Sequence, residues 1–366
     1  MISQSQNENK IFNLAKQLLL IHSVTGNDKE IVKVLNLVLK ELEDYPYEAF
    51  EKNGIKSLLY FNSAKRPPKF KVLFNCHLDV VSGNRKQFQP FEKEGRFYGR
   101  GTIDMKVAAA VEILVFKLLA KKMTYPIGLQ IVIDEEMGGF NGTGYQVEQG
   151  VRADFVITGE GTDLHINIDR KGVLALKLVF DTQRPGHAAY LWDGDNVILR
   201  INTFINLLIK KYPIPKANEW KTSVNIASVI SENKEHNKIP SKATVLLDFR
   251  HIATDSPNHL LSTVKKIVPR NTTIEVIAKG IISSVSKEEP DIKVLEESIQ
   301  DVLGAPARFI RKHGSSDTRF LIAKGAVGVD FGPKGAGLHS GEEYVDIESV
   351  NQYAEILKSF LARIKS

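Results

Sequence analysis

A single cysteine, Cys76, stands among 366 residues. One thiol excludes an internal disulfide and any thiolate metal cluster, so His, Asp and Glu are the only metal donors left, and Cys76 itself reads as a buried strand residue. No apolar run approaches the ~18 residues of a membrane span, and residues 1–10 have neither a basic lead nor an apolar stretch. A cytoplasmic protein without a membrane segment is the expectation. Long basic runs are missing as well. Lysine pairs such as Lys121-Lys122 and Lys210-Lys211 are the longest, so the formal net charge of +6 reads as a solvated surface and not as a nucleic-acid stripe. Internal repeats and low-complexity segments are also absent. What remains, 43% hydrophobic and 25% charged residues, is the composition of an ordinary globular chain long enough for two domains.

Apolar periodicity predicts helices over 10–20 and about 30–42, then short strands at 57–61, 71–75, 128–133 and 155–158, with a helix over 105–119. That alternation points to an α/β fold, a mostly parallel mixed sheet flanked by helices. Beyond Arg170-Lys171-Gly172 the pattern changes. A strand, a helix over 196–211, strands at 223–230 and 243–249, a helix over 256–268 and a strand at 273–278 suggest a small α+β sandwich inserted into the first domain. Helical and strand-like segments at 292–303, 328–331 and 347–364 then return to the first pattern. The expected organisation is therefore a catalytic domain of 1–172 and 280–366, interrupted by an insert of 173–279.

Chemistry-bearing residues follow the apolar runs. His77 and Asp79 come after 71–75; two apart on an extended backbone, they face one side, so the carboxylate can orient an imidazole whose other nitrogen binds metal. Asp104 follows the glycine-bracketed turn Gly99-Arg100-Gly101 and opens a helix. As an N-cap it would leave the glycines unexplained; as a carboxylate shared by two cations it accounts for them. Glu135 and Glu136 end the strand 128–133 ahead of Gly138-Gly139, which suits one ligand and one general base. Glu160 follows the strand at 155–158, and His339 lies near the C-terminus.

The ordered blocks HLDVV, GRGTIDMK, DEEMGG, GEGT, PGHAA, GSSDTRF and LHSGEEYV resemble the dinuclear zinc amidohydrolase and peptidase family. That family includes acetylornithine deacetylase, succinyl-diaminopimelate desuccinylase, glutamate-releasing carboxypeptidases and aminoacylases. The resemblance runs through nearly the whole chain. It implies two zinc ions, with cobalt or manganese as substitutes: one held by His77, Asp104 and Glu160, the other by Asp104, Glu136 and His339. It also implies that Asp79 supports His77, that Glu135 deprotonates the bridging water, and that the Asp104-Met105 peptide is cis. The insert would be a lid through which two copies dimerise, with His187 stabilising the oxyanion in the partner's site.

On the substrate side the candidates are Asn237, Arg250, Ser315 and Arg319, because a guanidinium suits the carboxylate of an acyl amino acid. Departures from the family pattern occur at Gly161, Val107 and Leu191-Trp192, none of them a ligand position. The implied activity is hydrolysis of the amide bond of an N-acyl amino acid, with an exopeptidase or dipeptidase as the alternative and a non-catalytic binding protein as a distant one.

Overall fold

The computed structural model describes residues 4–365, and they divide into two compact units. Of the described residues, one comprises 4–168, 284–311 and 316–365; the other comprises Asp169–Ser283 and Lys312–Ser315. That the short piece Lys312–Ser315 joins the second unit is a feature that nothing in its sequence announces.

The first unit is built on a mixed sheet. Six neighbouring strands of this nine-stranded sheet run in the order Tyr47–Lys52, Ile55–Phe61, Ile127–Val132, Phe70–His77, Ala153–Thr158 and Val327–Asp330. The last four are mutually parallel, whereas the two at the edge pair antiparallel. Such strands are buried on both faces, which is why they read as continuous apolar runs. Along Phe70–His77 the alternation still decides direction: Val72, Phe74 and Cys76 face the larger core with helix Val107–Leu119, and Leu73 faces a smaller cluster with Phe61, Val147 and Leu321. Helices Gln4–Leu20, Asp28–Glu41, Pro290–Leu303 and Ile347–Arg363 complete the larger core.

Sequence periodicity missed a small antiparallel sheet of Phe91–Lys93, Arg96–Tyr98, Tyr344–Asp346 and Gly335–Ala336. Its strands are too short to show a period. Its hairpin turns on Glu94 and Gly95, both with left-handed φ (52° and 72°), the geometry that matches strand twist in a two-residue loop.

Inside the larger core lies a polar knot. Glu112, fully buried on the helix, accepts from the Cys76 thiol at 2.6 Å and from the Tyr353 hydroxyl at 2.6 Å. Burial pushes the Glu112 carboxyl up to about 8, opposed by the Cys76 and Tyr353 hydrogen bonds and reinforced by the field of Glu160. It also raises the Cys76 thiol, consistent with an inert side chain. The unfolded chain releases the Glu112 proton near 4.5 while the folded chain keeps it, so this group's contribution to stability falls as pH rises between those values. Glu112→Gln removes that slope. Urea unfolding at about pH 5 and about pH 8 should show the variant gaining on the wild type as pH rises; a difference that stays flat removes the assignment.

The second unit is a four-stranded antiparallel sheet, ordered Ser223–Ser231, Lys242–His251, Gly172–Asp181 and Thr272–Gly280. Helices Val197–Lys211 and Pro257–Ile267, capped by the side chains of Asn196 and Ser256, cover one face. Leu174, Leu176, Leu178, Phe180, Val245, Leu247 and Phe249 point inward against Phe204, Leu208, Leu260 and Val264. Each such side chain contributes about 1.5–3 kcal/mol on burial, so this unit has a core of its own. No helix among the described residues is long and apolar enough to cross a membrane.

Candidate metal centre

Three neighbouring parallel strands end at one edge of the first unit's sheet, and each delivers a donor there. His77 closes Phe70–His77, Glu135 and Glu136 form a single turn after Ile127–Val132, and Glu160 lies two residues beyond Ala153–Thr158. Asp104 sits in the irregular turn Thr102–Lys106 that leads into helix Val107–Leu119, and the Asp104-Met105 peptide is cis, as the resemblance implies. The predicted helix start at 105 therefore moves to Val107. His339 occupies a loop between Gly335–Ala336 and Tyr344–Asp346 with φ at 59°.

Asp104 is the hub. Its Oδ1 lies 2.9 Å from His77 Nε2, and its Oδ2 lies 3.0 Å from His339 Nε2. His77 Nε2 is also 3.8 Å from Glu160 Oε1, and His339 Nε2 is 3.3 Å from Glu136 Oε2. His77, Asp104, Glu136, Glu160 and His339 are thus brought into one neighbourhood. Two trios could each hold an ion with ligand atoms within 4.8 Å of one another: His77, Glu135 and Glu160, and Asp104, Glu136 and His339.

The electrostatics fit divalent cations. Burial and the charges of Glu160, Asp317 and Asp104 push Glu135 well above the ordinary carboxylate range, against the pull of His77. Burial, with Asp104, pushes Glu136 up to about 7. Burial disfavours the charged form of His77, but hydrogen bonds to Asp104 and Asp79 outweigh it and raise the imidazole well above its usual value. The hydrogen bond to Asp104 likewise raises His339. Crowded like charges hold protons that cations would replace, and an all-nitrogen and oxygen donor set suits zinc, cobalt or manganese.

Asp79 faces His77, and it also serves the acidic turn. His77 Nδ1 meets the Asp79 main-chain oxygen at 3.0 Å, with the Asp79 carboxylate at 3.5 Å. The fully buried carboxylate also accepts from the Glu135 and Glu136 N–H groups at 3.3 and 3.2 Å and from Thr25 Oγ1 at 2.9 Å. Asp79 therefore meets the histidine through both its main-chain oxygen and its carboxylate, and the same carboxylate holds the acidic turn.

Arg319 requires a correction. It is 4% exposed, its Nη1 donates to the Ser316 oxygen at 2.8 Å, and its Nη2 donates to the Gly138 oxygen at 2.5 Å. Phe140 and Phe320 flank its guanidinium. A group so enclosed braces the loop behind Glu135 and Glu136 and is not open to a substrate carboxylate.

His187, Asn237, Arg250 and Ser315 belong to the second unit. His187 is exposed, and its Nδ1 accepts from the Ala189 N–H at 3.1 Å. The exposed Asn237 supports the same loop, its carbonyl accepting from the Ala188 N–H at 2.8 Å. Arg250 is half-buried and pairs with Asp248 at 3.0 Å, and the Ser315 carbonyl accepts from Arg170 at 3.2 Å.

Sequence reasoning passed over three buried supports: Lys106, Arg100 and Glu343. Lys106 donates to the Leu18 and Ile21 oxygens at 3.0 and 2.8 Å, and burial brings its ammonium down to about 7 against the pull of Asp79, Glu343 and Glu30. All three lie within the quoted blocks. A charged residue wedged between ligands and glycines was the available signal.

Fold and site together define a metal-dependent hydrolase of amide and peptide C–N bonds. Residues 73–363 match the peptidase family M20/M25/M40, and the chain belongs to that family. The succinyl-diaminopimelate desuccinylase of Gluconacetobacter diazotrophicus is 28% identical, with 96% of each chain covered. That of Pelagibacter ubique is 29% identical over 95% of this chain and 98% of its own. Among solved structures, a metallo-carboxypeptidase from Sulfolobus solfataricus superposes with a TM-score of 0.80 at 19% identity, over 96% of this chain and 98% of that one. Aminopeptidase PepT from Bacillus cereus gives 0.79 at 17%, over 97% and 98%. At these identities the structures show a shared fold.

Proposed function

We propose that this chain is a cytoplasmic two-zinc hydrolase that cleaves the amide bond of an N-acyl amino acid, releasing a carboxylate and an amine. The carrying observation is the Asp104 carboxylate held between two imidazoles, 2.9 Å from one and 3.0 Å from the other, with three further carboxylates around them. His77, Asp104 and Glu160 would hold one cation; Asp104, Glu136 and His339 would hold the other. When bound, the cations polarise the scissile carbonyl and make water acidic enough to attack it at neutral pH. Glu135 takes the proton of the attacking water and gives it to the departing amine, a task suited to a carboxyl whose proton affinity is raised by burial. Asp79 holds Glu135 and Glu136 in place through their N–H groups.

The two relatives named desuccinylase favour an acyl amino acid over a peptide, and a glutamate at position 160 leans towards the deacylase and carboxypeptidase branches over the aminopeptidase branch. An exopeptidase is the second reading, favoured by the carboxypeptidase and aminopeptidase among the structural neighbours. Steady-state turnover of N-succinyl-diaminopimelate, N-acetyl-ornithine, other N-acyl amino acids and dipeptides, with zinc or cobalt supplied, tests this. A preference for dipeptides overturns the first reading; no turnover of any with metal bound overturns both.

The second unit would act as lid and dimer contact, with His187 stabilising the oxyanion and Asn237, Arg250 and Ser315 meeting the substrate. His187→Ala is expected to lower kcat by about 10²–10³, the usual effect of removing one oxyanion donor. Unchanged kcat in a dimeric variant sinks that role, and a monomeric active wild type sinks the dimer.

A further inference from the structure

One buried ion pair gathers three of the segments that carry the site. Arg100 and Glu343 are 3% and 2% exposed, and Arg100 Nη1 meets Glu343 Oε2 at 2.5 Å. The other carboxylate oxygen of Glu343 accepts from the Gly101 N–H at 2.9 Å and from the Ile103 N–H at 3.2 Å, fastening the turn that ends in Asp104. Nη2 of Arg100 donates to the Ser340 oxygen at 3.1 Å and to the Ser82 oxygen at 3.4 Å. It thereby takes hold of the residue after His339 and of the loop that leaves Asp79.

The His339 loop needs such a hold. His339 has φ at 59°, a left-handed conformation that costs a non-glycine residue energy unless its surroundings impose it. The adjoining Ser340 oxygen accepts from both Arg100 and Gln87, the latter at 2.8 Å. On the opposite side, Gly101 has φ at 85°, and a Cβ there would come within 2.9 Å of Val80. Two backbone stretches in constrained conformations are thus fixed to one another by charges that are costly to bury unless paired.

We propose that the Arg100–Glu343 pair is a positioning device that sets Asp104 against His339 and so governs loading of the cation held by Asp104, Glu136 and His339. The inference rests on the two-metal reading above. Neither residue hydrogen-bonds a proposed ligand side chain in the contacts described; the pair acts through the backbone of 101–103 and 340, and its charges also act on His339 and Asp104 through space. The trio of Asp104, Glu136 and His339 has two donors on the clamped segments, whereas the trio of His77, Asp104 and Glu160 has only the shared Asp104 there. Loss of the pair therefore weakens the two sites unequally.

The test titrates metal-free full-length protein with Co(II), followed by calorimetry and by the visible absorption of each bound ion. Glu343→Gln keeps an acceptor for the two N–H groups but removes the charge. It is expected to bind the first equivalent as the wild type does and the second about 10–100-fold more weakly, with a changed second-site spectrum. A double Arg100→Met, Glu343→Leu variant is expected to regain thermal stability relative to Glu343→Gln without regaining second-site affinity. Ile356→Ala, which removes a fully buried apolar side chain from the larger core, supplies a control expected to lower Tm alone.

Wild-type-like binding of both equivalents by Glu343→Gln overturns the proposal, as does recovery of the second site together with stability in the double variant, or the same selective loss in Ile356→Ala. A wild type that takes up no cation overturns the two-metal reading itself, so the two failures are distinguishable.

Discussion

Glu135→Gln is expected to keep both cations and lose about 10²–10⁴-fold in kcat, the usual contribution of a positioned general base. The amide is nearly isosteric but has no lone pair basic enough to accept the water proton. Two readings of the same residue meet in this variant. The resemblance makes Glu135 the base, while the geometry also groups it with His77 and Glu160 as a trio able to hold an ion. If Glu135 were a ligand, the variant would lose an equivalent of metal along with activity. Metal content measured beside kcat therefore decides between the roles: retained metal with lost turnover supports the base, and lost metal removes that assignment. Retained turnover would remove both.

Asp104→Asn is expected to have the widest effect of any single substitution at the site. Both carboxylate oxygens are engaged, one toward each histidine, so a neutral amide removes the charge common to both trios and offers only one oxygen. Metal uptake should fall below one equivalent at concentrations that saturate the wild type, and turnover should fall to background. Removal of the cations from the wild type with a chelator should reproduce the loss of activity, and added zinc or cobalt should restore it for the wild type alone. A variant that still binds two equivalents would show that Asp104 is not the shared donor. The substitution also relieves the crowding that raises Glu136 and Glu135, since Asp104 contributes to both. It also removes the carboxylate that holds both imidazoles, and those imidazoles keep Asp104 well below the usual carboxylate range, so the metal-free variant should be less stable than the metal-free wild type in thermal unfolding near neutral pH.

The legible part of this protein was the part written in local pattern. Apolar runs at 71–75, 128–133 and 155–158 announced strands that span Phe70–His77, Ile127–Val132 and Ala153–Thr158, with errors confined to the ends. His77, Glu135, Glu136 and Glu160 follow those runs directly, so their arrival at one sheet edge could be anticipated from strand direction alone. Arg319 shows the opposite case. Its neighbours in sequence look like a polar substrate loop, yet Phe140 and Phe320 enclose it, and its donors go to main-chain oxygens at 316 and 138. Nothing local distinguishes an arginine that meets a ligand from one that braces a loop. At Asp79 the spacing of two does bring the carboxylate towards His77, at 3.5 Å, but no local pattern shows that it also accepts from the N–H groups of residues 135 and 136.

By itself the chain's order of residues determined which donors exist, their chemical type and the strand ends on which most of them ride, because side-chain chemistry and apolar period are local properties. Only the tertiary structure decided which oxygen of Asp104 meets which histidine, that Arg100 and Glu343 join segments 243 residues apart, and that Arg319 is enclosed. Those facts depend on packing between elements distant in the chain, and no sequence period records such distances.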